Sequence, residues 1–189
     1  MFEKSVEELT ELGAQITTAE IAQQPELWRD TLNIYRENKE AIEAFLAEAR
    51  AMVEGRLSVV FTGAGTSDYV GDTCAPYLRH AGNTDLYDFK PIATTDIVSA
   101  PRDFLRAEYP TLMVSFARSG NSPESLAAVA VAKELVHNVK FLNITCAPEG
   151  KLAVESADDP NALTLLIPRA NDKGFAMTGS YTCMTLLST

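Results

Sequence analysis

Two stretches of this chain have residue types and spacings able to grip a small anion: "FTGAGTSDYV" (Phe61–Val70) and "SFARSGNSPES" (Ser115–Ser125). Both run in the same order, from an apolar segment through a glycine- and hydroxyl-rich turn into a helical pattern. A helix N-terminus presents unpaired N–H groups and the positive end of a dipole worth about half a charge, which favours phosphate. Gly65 and Gly120 let the backbone approach a ligand closely, and Thr66, Ser67, Ser119, Asn121 and Ser122 stand beside those amides as further donors. Micromolar affinity for a small phosphorylated ligand requires roughly −8 kcal/mol, and a hydrogen bond to a charged group supplies about 1.5–3 kcal/mol. One such turn falls short of that requirement, whereas two converging on one dianion meet it.

Other readings of the same residues weaken on inspection. Gly63 and Gly65 fit the first two positions of a dinucleotide fingerprint, but Asp68 stands at the third, and Thr94 and Thr95 occupy the place of the ribose-binding acid. A P-loop is excluded by the lack of a Lys-Ser/Thr pair. Ser122 before Pro123 reads equally well as a helix N-cap followed by a first helical residue. Asp68 and Glu124 would repel a phosphate if they faced it, so they are expected on outer faces as dipole partners. Arg118 fits either a fork onto phosphate or a place on the surface.

The elements that must position these turns are legible around them. "LSVVFT" (57–62), "LYDFKPI" (86–92), "TLMVSF" (111–116), "VKFLNIT" (139–145) and "ALTLLIP" (162–168) are short and mostly apolar, as strands buried on both faces are. Helical patterns over 67–80, 122–137 and 149–157 separate most of them. The alternation predicts an α/β fold, a doubly wound parallel sheet with ligands at the strands' carboxyl ends. Residues 1–55 read as an N-terminal helical arm and 56–189 as the domain proper. Within the arm, Leu9, Leu12 and Ile16 suggest one amphipathic stretch. Thr17 and Glu20 have capping-box spacing, and Pro25 suits the first turn of a helix carrying Trp28, Leu32, Tyr35, Ile42, Phe45 and Leu46 and ending at Gly55.

Composition narrows the function classes. The chain of 189 residues is 46% apolar and 22% charged, which suits a globular domain. Its formal charge of −10, concentrated in the first 55 residues, argues against a nucleic-acid partner. No apolar run approaches the ~18 residues that span a membrane, and nothing near Met1 resembles a signal peptide. Cys74, Cys146 and Cys183 lack metal-ligand spacing and read as reduced, buried thiols of a cytoplasmic protein. With His80 and His137 as the only histidines, a histidine-rich metal site is excluded. Met177, Tyr181, Met184 and Leu187 form an apolar helical face with no glycine, basic residue or breaker after it, which suggests a chain that continues past Thr189.

"TGAGTS", "SFARSGNSPES" and "GFAMTGSYTCM", taken in order, resemble the sugar isomerase (SIS) family. They are most similar to its tagatose-6-phosphate ketose/aldose isomerases, some of which are described as galactosamine-6-phosphate deaminase/isomerases. The resemblance runs from about Thr17 to Thr189. It implies a five-stranded, flavodoxin-like parallel sheet, a sugar 6-phosphate held by the Ser67 turn and the Ser119–Ser122 loop, and the first of two SIS domains. It further implies a homodimer and no metal or organic cofactor. Where the family usually has a hydroxyl this chain has Gly179, so Thr178 and Ser180 are the remaining candidates in that segment.

Aldose–ketose isomerisation through an enediol or enediolamine needs a base, a ring-opening partner and oxyanion stabilisation. His80 and His137 fall at the wrong ends of their helices for this. Asp96, Asp103, Glu149, Asp172 and Lys173 lie at the correct edge without a spacing that singles one out. In similar two-domain SIS isomerases the working glutamate and histidine come from the second domain, so this chain is expected to hold the substrate and to show no turnover alone. Two other classes stay open: a non-catalytic SIS module that senses phosphosugars, and a dinucleotide-dependent oxidoreductase.

Overall fold

The computed structural model describes residues 2–189. Ser5 starts the first helix, α1 (Val6–Glu11). Its hydroxyl accepts from the Glu8 amide at 3.2 Å while the Glu8 carboxylate accepts from the Ser5 amide at 2.8 Å. Gly13, at φ +64°, turns the chain into α2 (Gln15–Arg50), one unbroken helix of 36 residues.

Several expectations for the arm are corrected here. The Thr18 amide already bonds the Ala14 carbonyl at 3.0 Å, so Thr17 lies within the helix and lacks the non-helical backbone an N-cap requires. Pro25 sits inside α2 instead of opening a new helix. The backbone bond it forfeits is offset by burial of Leu27, Ile42, Phe45 and Ala49. The buried stripe is also shifted: Trp28, Leu32, Tyr35 and Leu46 remain exposed, as do Leu12 and Ile16. Trp28 lies at the edge of the contact, its indole N–H donating to the Thr182 hydroxyl at 2.9 Å. The helix stops at Arg50, ahead of Gly55.

Five strands follow among the described residues: β1 (Leu57–Gly63), β2 (Tyr87–Pro91), β3 (Thr111–Ala117), β4 (Val139–Thr145) and β5 (Ala162–Leu166). Every neighbouring pair is parallel and the order is β2-β1-β3-β4-β5, the doubly wound α/β sheet that the apolar runs predict. β1 and β3 are buried along their whole length, which is why they read as continuous apolar runs. Edge strands β2 and β5 are only partly covered.

Two separate cores hold helices to the two faces. On one, α2, α3 (Asp68–Ala81) and α8 (Gly179–Leu187) cover Val59, Phe61, Val114, Phe116 and Ile144, with Phe61 stacked on Phe116 at 6.1 Å. On the other, α4 (Thr94–Ser99), α5 (Pro101–Phe104) and α6 (Pro123–Leu135) cover Val60, Met113 and Phe141. The short α7 (Lys151–Ser156) joins β4 to β5. Helices α4 and α5 have no readable period because they span six and four residues, yet Ile97 and Leu105 anchor them in the second core. Lys140 of β4 reaches Glu48 of α2 at 2.8 Å and lies 5.0 Å over the Phe45 ring, fastening the arm to the sheet.

All three cysteines are free and buried, and burial pushes the Cys74 thiol up to about 11 and Cys146 to about 12. Among the described residues no helix is long and apolar enough to cross a membrane, and no group of three His, Cys, Asp or Glu side chains could hold a metal ion.

Candidate functional site

The turn after β1 is built by two glycines with different tasks. At Gly63 the chain folds back so tightly that a Cβ would lie 2.5 Å from the Ser67 carbonyl carbon, and at Gly65 φ is +59°. A single 3-10 turn, Gly65–Ser67, then opens α3. The Ser67 amide donates to the Ala64 carbonyl at 3.2 Å and the Asp68 amide to the Gly65 carbonyl. Ser67 is buried, yet its hydroxyl does not cap α3. From behind, the Thr94 hydroxyl donates to the Gly63 carbonyl at 3.0 Å and pins the strand end.

The turn after β3 is braced more heavily. Gly120 takes φ +66°, and its carbonyl accepts from the Leu152 amide at 3.0 Å. The Asn121 side-chain oxygen accepts from the Lys151 amide at 3.0 Å. A Cβ on Gly150 would collide with the Ser119 carbonyl, so the start of α7 packs directly on this loop. Ser119 is exposed, its hydroxyl taking a long 3.4 Å bond from the Asn121 amide. Ser122 is the N-cap of α6, accepting from the Ser125 amide at 3.3 Å and donating to the Ser125 hydroxyl at 2.7 Å. The capping interpretation of Ser122 therefore accounts for its side chain.

Strand order brings the two turns together. β1 pairs directly with β3, Gly63 opposite Phe116, so both turns leave neighbouring strands at one edge. From there the chain moves outward in opposite directions, to β2 on one side and to β4 and β5 on the other. That is the topological switch point, where open parallel sheets form a crevice for ligands. Helix α3 descends one face and α6 the other, so their N-termini flank the crevice.

The third segment, before α8, departs from what its sequence suggests. Asp172 is buried and accepts from the amides of Thr178, Gly179 and Ser180 at 3.0, 3.1 and 2.9 Å. The hydroxyls of Thr178 and Ser180 donate to the same carboxylate at 3.2 and 2.5 Å. The start of α8 thus carries its own internal anion, and Thr178 is committed to it. Gly179 packs closely, since a Cβ would stand 2.7 Å from Leu27 Cδ1, which would have to shift to admit it. Only an acid six residues before a hydroxyl-rich helix start marked this cap in the sequence, too far for the usual capping spacing.

The charged neighbours are also placed. Arg118 donates to the Gly174 carbonyl at 2.9 Å. Glu124 is exposed, as a dipole partner should be. Asp68 is only half exposed; its carboxyl is pushed up to about 6, first by desolvation and then by Asp72 and Asp96. Asp96, Asp103, Glu149 and Lys173 are exposed, whereas Asp172 is consumed as a cap. His80, in the last turn of α3, and His137, after α6, are exposed at the opposite end of the sheet.

No family model matches the chain. Its sequence is 43% identical over 183 residues to the D-galactosamine-6-phosphate deaminase AgaS of Shewanella sp. (strain ANA-3), a match covering 96% of this chain and 47% of that protein. An Escherichia coli protein of the same name is 41% identical over 170 residues, covering 89% and 43%. The crystal structure of tagatose-6-phosphate ketose/aldose isomerase from Escherichia coli superimposes with a TM-score of 0.80 at 39% identity, covering 88% of this chain and 44% of that one. The chain has the SIS fold and is a homologue of AgaS. A more distant structure, the C-terminal domain of glucosamine-fructose-6-phosphate aminotransferase from Francisella tularensis, shares that fold at a TM-score of 0.67 and 18% identity. This SIS chain spans less than half the length of the AgaS relatives it matches.

Proposed function

We propose that the crevice at the β1/β3 switch point holds the phosphate of a sugar 6-phosphate. The grip comes from the amides of Gly65 and Thr66 and the hydroxyls of Thr66 and Ser67 on one side and from Ser119, Gly120 and Asn121 on the other, with Ser122 holding α6 in place. The observation that carries this reading is the adjacency of two glycine-hinged turns on paired strands, each opening a helix on a different face. Names borne by the relatives support the ligand class, amino-sugar or ketose 6-phosphates.

The reaction we assign is isomerisation or deamination of galactosamine 6-phosphate or tagatose 6-phosphate through an enediol or enediolamine, in amino-sugar catabolism. This chain, residues 56–189 with their helical arm, supplies the binding half. Acid–base groups come from the remainder of a protein of the relatives' length, because both histidines here stand away from the crevice. The whole enzyme is a cytoplasmic homodimer in this reading.

Calorimetric titration with galactosamine 6-phosphate, tagatose 6-phosphate and unphosphorylated galactosamine tests it. Both phosphates should bind and galactosamine should not. Ser119→Ala should weaken the phosphosugars about tenfold, the worth of roughly one charged hydrogen bond. Equal affinity for galactosamine with and without its phosphate would refute the site.

A further inference from the structure

The segment between β5 and α8 is held by side chains from two distant parts of the chain. Glu20, on α2, is 6% exposed, and its Oε1 accepts from the Lys173 amide at 2.6 Å and the Gly174 amide at 2.9 Å. Arg118, the residue before Ser119, donates to the carbonyl of the same Gly174 at 2.9 Å. Gly174 thus has its N–H tied to the N-terminal arm and its C=O tied to the β3 turn. A Cβ at this position would stand 2.8 Å from Glu20 Oε2, so any larger residue would push the Glu20 carboxylate aside. Asp172, two residues before Gly174, gathers the first amides of α8 from Thr178 to Ser180. Between the two clamps lie Phe175, Ala176 and Met177, the first two exposed and Phe175 completely so.

Irregular backbone is mobile unless its polar groups are tied down, and charge-assisted bonds to a buried carboxylate are among the stronger ties available. Glu20 provides them at a cost: its Oε2 is buried without a donor among the described residues. A half-satisfied interior carboxylate is a poor way to gain stability, which turns attention to what it positions.

We propose that Glu20 is a positioning residue for the phosphosugar site: it fixes the Lys173–Met177 loop beside the β3 turn and so governs recognition of the sugar, leaving the phosphate grip untouched. Arg118 is the strut on the other side of the same loop. This rests on the phosphosugar reading above, since the loop stands at the same sheet edge as the two turns but contributes none of their donors.

The test compares inorganic phosphate with galactosamine 6-phosphate as probes of the chain by calorimetry. Glu20→Ala should leave phosphate affinity unchanged while the additional affinity for galactosamine 6-phosphate falls about tenfold, the loss of roughly one well-placed hydrogen bond to the sugar. Glu20→Gln should keep the wild-type preference, because its side-chain carbonyl can still accept both amides. Should Glu20→Ala fail to fold, Gly174→Ala pushes the same clamp apart from the loop side, and the same selective loss is expected. Equal loss for both probes, or no loss in either variant, overturns the proposal. Failure of the unmodified chain to bind either probe would instead remove the phosphosugar reading, and this inference with it.

Discussion

The helix N-termini of α3, α6 and α8 lie at the carboxyl edge of the sheet, and they differ in what fills them. The start of α8 is saturated from within: Asp172 takes three amides and two hydroxyls. The start of α3 has no side-chain cap at all, and that of α6 has only the neutral Ser122 hydroxyl. No carboxylate of the chain caps α3 or α6, in contrast to α8. In the sequence all three look alike, as glycine and hydroxyl residues before a helix. What separates them is whether the fold returns a carboxylate to the spot.

The largest effect should come from emptying the filled terminus. Asp172→Ala leaves several buried donors unpaired and should cost about 3 kcal/mol or more, read as a lower urea midpoint; a loss below about 1 kcal/mol would mean the cap is dispensable. By contrast, Ser119→Ala should leave the urea midpoint unchanged while weakening phosphosugar binding, because its hydroxyl makes only one long intramolecular bond. Ser122→Ala should do the reverse, lowering stability by about 1 kcal/mol through the lost cap with a smaller effect on affinity than Ser119→Ala. If both serines behave alike, the division between grip and support at the β3 turn is wrong.

Asp68 sharpens the comparison at the open α3 terminus. Its carboxyl is held up at about 6 in the folded chain, against 3.8 ordinarily. Ionising it is therefore harder folded than unfolded, so the neutral form favours folding below pH 4 and that contribution is lost as pH rises through about 6. Asp68→Asn should accordingly stabilise the chain at pH 7.5 and not at pH 4. The gain should be about 1 kcal/mol, since solvent screening at a half-exposed site cuts it well below the full conversion of the displacement. Chemical denaturation at the two pH values measures it; a gain equal at both would assign the effect to side-chain volume instead of charge.

Features encoded by neighbouring residues were legible before any coordinates. Five apolar runs mark five strands because strands buried on both faces need no polar alternation. The turns at Gly65 and Gly120 announce themselves because a left-handed backbone favours glycine. The arm was harder. Thr17, Glu20 and Pro25 imitate a helix start, but Gly13 had already started the helix, and burial along its length overrode the local signals.

By itself, then, the chain's order of residues settles which segments are strands, where its two glycine-hinged turns lie, and that both turns follow strand ends; each follows from interactions spanning a few positions. Tertiary structure alone decides that β1 lies beside β3, that Asp172 closes α8, and that Glu20 holds a backbone 153 residues away. Those outcomes depend on long-range burial, where a carboxylate takes whatever donors the packing delivers, and no local pattern records which ones those are.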